Sequence, residues 1–457
     1  MIMKMNKQLY SLGLVMCFAF AKAYSQQFTE TLLSREQAVE LMLENNYGIK
    51  IAKNTTEIAE NNAGILNSGY LPSLQGTASA SYDDTDSTTD FDGALDASGV
   101  PRTNIEINDA ETRQYNAGIA LNYTLFDGLG RLYNYKRLKE QYSLSKLDAR
   151  ATVENTTLQL MSVYLEISRI TENLRVFEQT LEISKKREER AQYQFEYGQV
   201  NKLEVLNARV DINTDSVNVL NTRQQLRNSK RDLNLLLNRD LTSDFKVDTT
   251  IVLQNLLKVD SYLEKVSENN IRLLQSASTL QISDYDIKTS KALLLPNIGL
   301  SGSYGWNQTD SPSSAFFPAT TRTSGSLRVG ATLTWDIFDG GRSITGLRNA
   351  KIAFKNEEFF KKQVEQEVGR DIANAKGNYT NALAIYRMQQ QNVLTNNSNF
   401  ERTEEQFKLG QVSSIEFRQA QVNLLNAKTI ENLAKYDAKL AEYQLLQLAG
   451  QLLNIPL

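Results

Sequence analysis

The amino-acid sequence predicts an α+β membrane protein. Four β-strands per protomer would join those of two further copies in a trimeric, 12-stranded β-barrel, and long helices would continue its wall as an α-helical barrel. Three observations predict this. Two stretches alternate apolar and polar residues with a period of two, then run into long proline-free segments whose apolar residues recur every seven positions. The whole pattern occurs twice, 212 residues apart, which marks a tandem structural repeat. No stretch beyond the first 25 residues is apolar for long enough to form a membrane helix, so any crossing has to be made by strands.

Residues 1–25 read as a signal peptide. Lys4 and Lys7 form the charged start, Leu9 to Ala21 the apolar core, and Ala21-Lys22-Ala23 or Ala23-Tyr24-Ser25 the cleavage site. Leu14-Val15-Met16-Cys17 is a poor lipid-attachment box, because methionine precedes the cysteine and the apolar run continues past it. Removal would take away three lysines and Cys17, the sole cysteine. With no histidine in the chain, the mature protein would then lack disulfides, thiolate nucleophiles, imidazole bases and most zinc or copper sites. There is no phosphate-cradling glycine loop either, so neither an enzyme nor a cofactor is expected. A net charge of −3 without a basic stripe argues against a nucleic-acid partner.

The first repeat spans residues 26–240. Ser34-Arg35-Glu36-Gln37 is a capping box that opens a short helix to about Asn46, and a second helix runs from Tyr47 to about Ser68, where Leu71-Pro72 ends it. The first strand covers about 73–82. Asp83 to Arg113 reads as a long, solvated acidic loop, and its spacing matches no calcium loop. The second strand covers about 115–126. Phe126-Asp127-Gly128 breaks it, and the long helix 131–197 follows. Its seam is Leu160, Ile167, Leu174, Leu181 and Phe195, interrupted at Glu188. Gly198-Gln199-Val200 turns the chain, and a return helix runs over 202–237.

Residues 241–260 form a connector with a short strand at 245–247, and the second repeat spans 261–457. Its strands cover about 297–306 and 327–338, with a loop from Asn307 to Ser326 between them. Phe338-Asp339-Gly340 then leads into the long helix 342–409, whose seam is Ile372, Tyr379, Tyr386, Val393, Phe400 and Phe407. Gly410-Gln411-Val412 turns the chain into a return helix over 414–452. A helix of some 68 residues would be about 100 Å long. The six prolines all fall outside the long helical runs.

Aromatic residues sort along the strands. Tyr82, Tyr115, Tyr304 and Trp306 lie at the ends next to the long loops, and Tyr123 and Trp335 at the opposite ends, as two membrane-interface belts would. The polar faces read as uniformly small and neutral, suited to a lumen. Four strands cannot close a membrane barrel, and open edges are not tolerated in lipid. Two copies would supply eight strands, too narrow for an aqueous path, whereas three supply an allowed twelve. A soluble β-sandwich would alternate too, but has no need of two aromatic belts.

These features together resemble the TolC-type outer-membrane efflux protein family, the outer membrane factors. The likeness rests on the duplicated strand–loop–strand units, Leu71-Pro72 with Leu295-Pro296, Phe126-Asp127-Gly128 with Phe338-Asp339-Gly340, and the turns at Gly198-Gln199-Val200 and Gly410-Gln411-Val412. The resemblance implies a homotrimeric channel-tunnel: a β-barrel in outer-membrane lipid over a long periplasmic α-barrel. It also implies a periplasmic adaptor (membrane-fusion) protein, docked at Gly198 to Val200 and Gly410 to Val412, and an inner-membrane transporter that supplies the energy.

The family often narrows its periplasmic aperture with acidic residues just past each turn, and Glu204 and Glu416 occupy that place, six residues after each glycine. The next acidic position of the family is Gln419 here and its frequent basic partner is Val412, which leaves Arg209 or Arg418 to compensate. The plainer reading makes Glu204 and Glu416 solvated helix charges. A passive exit duct for small molecules is the expected function. The alternatives are the outlet of a type I polypeptide secretion system and a non-conducting surface coiled-coil structural protein.

Overall fold

The computed structural model describes residues 32–313 and 317–454. The expected leader, 1–25, lies outside them. Along the chain the elements are β1 (Leu32–Leu33), α1 (Arg35–Asn45), α2 (Tyr47–Asn62), a 3₁₀ turn (Ile65–Asn67), β2 (Ser73–Thr89), β3 (Ile105–Asp127), α3 (Gly130–Glu196), α4 (Lys202–Leu236), β4 (Lys246–Val247), α5 (Leu256–Leu263), α6 (Val266–Asn269), α7 (Ile271–Ala292), β5 (Asn297–Ser311), β6 (Thr320–Thr334), α8 (Arg342–Lys408) and α9 (Ser414–Leu448). They form two compact units. Of the described residues, one comprises 32–51 with 151–270 and 369–454, the other 52–150 with 271–313 and 317–368. Each unit draws on both sequence repeats, because the strands of the two repeats pair with each other and so do their return helices.

The second unit holds an antiparallel sheet in the order β2-β3-β5-β6. Residues directly opposite one another share a face. Leu74, Leu121, Gly302 and Val329 therefore form one apolar row, and Gly76, Ile119, Tyr304 and Leu327 the next. On the other face Ser79, Asn116 and Asn307 lie in register, joined by hydrogen bonds from Asn116 to Ser79 and from Asn307 to Asn116. Among the described residues nothing pairs with the outer edges of β2 and β6.

The strands outrun the sequence expectation. The predicted acidic loop 83–113 is mostly strand: Asp83–Thr89 and Ile105–Arg113 extend the first hairpin, leaving a connection of only 90–104. Likewise 307–311 and 320–326 are strand rather than loop. Period-two reading needs one apolar face, and here both faces are polar apart from Ile105 and Ile107, too short a run to mark a strand. Tyr82, Tyr115, Tyr304 and Trp306 consequently lie within long strands, not at their ends. At the other end β6 stops at Thr334, short of the expected 338, and Trp335 donates its indole N–H to the Leu294 carbonyl at 3.3 Å. The second helix ends at Asn62, before the expected Ser68, and passes into the 3₁₀ turn.

Asp-Gly at the strand–helix junctions has a physical cause. Asp127 accepts from the Arg131 backbone N–H at 2.8 Å and Asp339 from that of Ser343 at 2.8 Å, so each caps a long helix. Gly128 takes φ +67°, where a Cβ would sit 2.6 Å from the Ala292 carbonyl.

In the first unit α3, α4 and α9 surround a core of Leu160, Met161, Tyr164, Ile167, Leu233, Tyr436 and Leu446, closed by Met42, Ile49 and Phe245. The connector lies extended against this core. Tyr164 donates to the Leu33 carbonyl at 2.7 Å and accepts from Asp248 N–H at 2.9 Å, beside the parallel β1–β4 pair. From α9, Tyr436 donates to the Thr249 carbonyl and Lys439 to that of Val252, and Glu442 accepts from Gln254 N–H. Their spacing of three puts all three side chains on one helix face. Repeat symmetry persists at hydrogen-bond level: Asn46 donates to the Leu236 carbonyl at 3.0 Å, and Asn270 to that of Leu448 at 2.8 Å.

Candidate functional site

The two helical hairpins of the first unit turn in the same way. Gly198 and Gly410 have φ of +72° and +74°. The amide after each bonds five residues back, Gln199 to Gln194 at 2.7 Å and Gln411 to Gln406 at 2.8 Å, which closes a Schellman turn. Asn201 and Ser413 then cap the return helices. The tips are joined by Arg190, which donates to the Lys408 carbonyl at 2.9 Å with its guanidinium 5.1 Å from the Phe407 ring centre. Behind them Phe407 stacks on Phe417 at 4.7 Å, and Phe400 packs alongside.

Glu204 and Glu416 are held differently. Glu416 is held in a capping box: it accepts from Ser413 N–H at 2.7 Å, and the Ser413 hydroxyl accepts from Glu416 N–H. These bonds hold its carboxyl below the usual range. Glu204 instead lines a cavity of about 380 Å³ with Arg187, Asn207, Asp211, Ser414, Arg418 and Gln419.

Beneath this cavity lies a buried ionic cluster. Arg418 on α9 grips Asp215 on α4 with two bonds of 2.8 Å, and its Nε approaches Asp211 at 3.3 Å. Arg187 on α3 pairs with the other oxygen of Asp211. Ser184 donates to Asp215 at 2.6 Å, and Gln421 donates to the Thr180 carbonyl at 3.0 Å. The side chains of Arg187 and Asp215 are each 2% exposed. Burial, reinforced by Arg418, pushes the Arg187 guanidinium down to about 10. This is where the apolar seam breaks off at Glu188. Thr180, Ser184 and Arg187 take over the buried face, and Glu188 turns outward to pair with Arg209 at 2.9 Å. Of the two candidate compensating arginines, Arg418 enters the cluster and Arg209 does not. The seam interruption was the only sequence signal for it, since Asp211 and Asp215 look like ordinary surface charges on an amphipathic helix.

The chain thus combines an open four-stranded sheet, apolar on one face and polar on the other, with two long helical hairpins. The model of the family "Outer membrane efflux protein" matches residues 38–239 and 262–451, and the chain belongs to that family. It is similar to Outer membrane protein TolC of Vibrio cholerae, 21% identical over 308 residues, 66% of this chain and 69% of that protein. It is also similar to the outer membrane efflux protein BepC of Brucella suis, 20% identical over 411 residues, 89% of this chain and 83% of that one. The Campylobacter jejuni CmeC outer membrane channel has the same fold, with a TM-score of 0.74 at 19% identity, covering 92% of this chain and 86% of that one. So does CusC, with a TM-score of 0.74 at 18% identity over 92% and 93%. The protein is thus an outer-membrane efflux channel with a large periplasmic part. Among the described residues, no helix is long and apolar enough to cross a membrane.

Proposed function

We propose that three copies of this chain close a 12-stranded barrel in the outer membrane, and that the assembly is a passive exit duct for small molecules. Energy comes from an inner-membrane transporter coupled through a periplasmic adaptor. One observation carries the reading: β2 and β6 both end the sheet with unpaired edges beside an apolar face, and lipid tolerates neither edge. The row of Tyr123 and that of Tyr82 with Arg113 are ten residues apart on β3, about 34 Å along the strand and about 26 Å along the normal at a tilt near 40°. A barrel's apolar band is about 25 Å tall. Tyr82 and Tyr115 then serve the outer interface, and Tyr123 and Trp335 the periplasmic one, whereas Tyr304 and Trp306, opposite Ile119 and Ala117, fall in rows between the two belts and depart from the expected outer belt.

The adaptor docks at Gly198-Gln199-Val200 and Gly410-Gln411-Val412. Tyr197, Leu203, Leu409 and Ile415 stand exposed around these turns and offer it apolar area. Glu204 and Glu416 ring the aperture of the trimer, and the Arg187–Asp211–Arg418–Asp215 cluster holds the two hairpins together in the closed state. The test is conductance in planar bilayers. The reading expects discrete steps from purified trimer and a higher resting conductance or altered cation preference in E204A/E416A. Absence of steps contradicts the duct, and unchanged conductance and selectivity in the variant removes the two glutamates from the aperture.

A further inference from the structure

The polar face of the sheet is not uniformly neutral, contrary to the sequence expectation, because β6 begins at Thr320 and brings a second arginine into the alternation. Arg322 is opposite Thr309, in one row with Gln114 and Ser81; Arg328 is opposite Ser303, in one row with Ala120 and Gln75. Both side chains are exposed, and neither has an ion-pair partner among the described residues. The rows between and below them on that face hold only uncharged residues: Ser79, Asn116, Asn307 and Ser324; Thr77, Gly118, Gly305 and Ser326; Ser73, Asn122, Ser301 and Gly330. Of the nearby carboxylates, Asp83 shares this face but lies one row beyond that of Arg322, opposite Thr112. Asp310 shares the opposite face with Arg113 and Tyr82, and Arg113 is paired with Glu111 at 2.9 Å. Within the membrane-spanning rows, then, the only charges on the polar face are two guanidiniums, six residues apart on one strand.

We propose that Arg322 and Arg328 form two tiers of positive charge inside the barrel and make its outer section selective for anionic solutes, carboxylates and other monoanions, during exit. The inference rests on the trimeric-duct reading, in which threefold symmetry turns each residue into a ring of three. Strand spacing and tilt put the wall of a 12-stranded barrel about 12 Å from its axis. A Debye length of about 10 Å at 0.1 M salt leaves such a ring a bias of about twofold on a monovalent ion at the axis. The wall charge has the opposite sign to Glu204 and Glu416, so the tunnel would meet its solutes with two different fields in succession.

Reversal potentials across a KCl gradient at or below about 0.1 M test this. In R322Q/R328Q the chloride-to-potassium permeability ratio is expected to fall at least about twofold relative to wild type, with stepwise conductance retained, and each single variant should give part of the shift. An unchanged ratio with normal steps overturns the arginine inference and leaves the duct intact. No steps from the wild-type protein overturns the duct instead. If the glutamine variants fail to assemble, R328C can be modified after assembly, since the mature chain is otherwise expected to be free of cysteine. A trimethylammonium thiosulfonate and a sulfonate thiosulfonate should then shift the ratio in opposite directions. Equal or absent shifts overturn the inference.

Discussion

Replacing Arg418 with methionine removes one half of the best-made ion pair in the buried cluster. Arg418 gives Asp215 two parallel bonds of 2.8 Å, and the Asp215 side chain is 2% exposed. In R418M that carboxylate keeps only the Ser184 hydroxyl. Removing one partner of a buried pair costs about 3–5 kcal/mol, because the other charge stays desolvated. At about 1.4 kcal/mol per decade, local opening of α4 and α9 should become about 10²- to 10⁴-fold more frequent. Amide hydrogen exchange on the detergent-solubilised complex reads this directly, in peptides covering 180–188, 211–219 and 414–425. D215L should also destabilise, though less, since Arg418 keeps its contact with Asp211 at 3.3 Å. The double variant R418M/D215L should recover most of the loss, as an apolar pair of similar volume commonly does, giving a coupling of at least about 2 kcal/mol. Exchange in R418M within threefold of wild type would refute the reasoning, as would a double variant that merely sums the two singles.

Other outcomes follow from the same geometry. E442Q removes the carboxylate charge that faces the buried Lys439 ammonium, so proteolysis within 248–256 should accelerate, by an opening cost of about 3 kcal/mol; an unchanged cleavage rate would show that the connector does not depend on this pair. Burial pushes the Tyr443 hydroxyl up to about 12, and Tyr164, Tyr379 and Tyr436 are raised too. Folded protein therefore keeps protons that unfolded chain releases above pH 10, so this stabilisation is complete below pH 10 and drains away above it, by about 2 kcal/mol at pH 12 for Tyr443 alone. Thermal melts from pH 9 to 11.5 should fall more steeply for wild type than for Y443F. G450A drives a Cβ into the Asn269 carbonyl at a φ of +66° and should cost at least about 1–3 kcal/mol in thermal stability. S413A removes the α9 capping box and should cost about 1 kcal/mol, read as fraying of the first turn of α9 by exchange.

Much of this fold was written locally. The 212-residue repeat, the Gly-Gln-Val turns and the Asp-Gly junctions each follow from a few adjacent residues whose backbone demands are plain: a left-handed glycine, a carboxylate cap, a helix without proline. The strands were legible where lipid demands one apolar face, as in Ile119 or Val329, and illegible beyond it, where Asp83–Thr89 pairs with a segment in which only Ile105 and Ile107 alternate with polar residues. The ionic cluster was illegible for a different reason. Arg418 and Asp215 are 203 residues apart, and each sits among charges that look solvated until α3, α4 and α9 pack together. Arg322 lies in a polar stretch that the sequence presents as loop, and Tyr82, Tyr115, Tyr304 and Trp306, expected at strand ends, are interior to strands, whereas Trp335 lies just past the end of β6. Glu416 had a reading that needed no channel, and the capping box supplies it, while leaving its carboxylate on the exposed side of the tip.

The claim on which the barrel, the lumen arginines and the aperture all depend is that one chain supplies a third of a closed wall. Native mass spectrometry of the detergent-extracted, wild-type mature protein measures it most directly. The account predicts a single dominant assembly of three chains. A stable monomer that needs no detergent, or a dominant assembly of any other number, would contradict it.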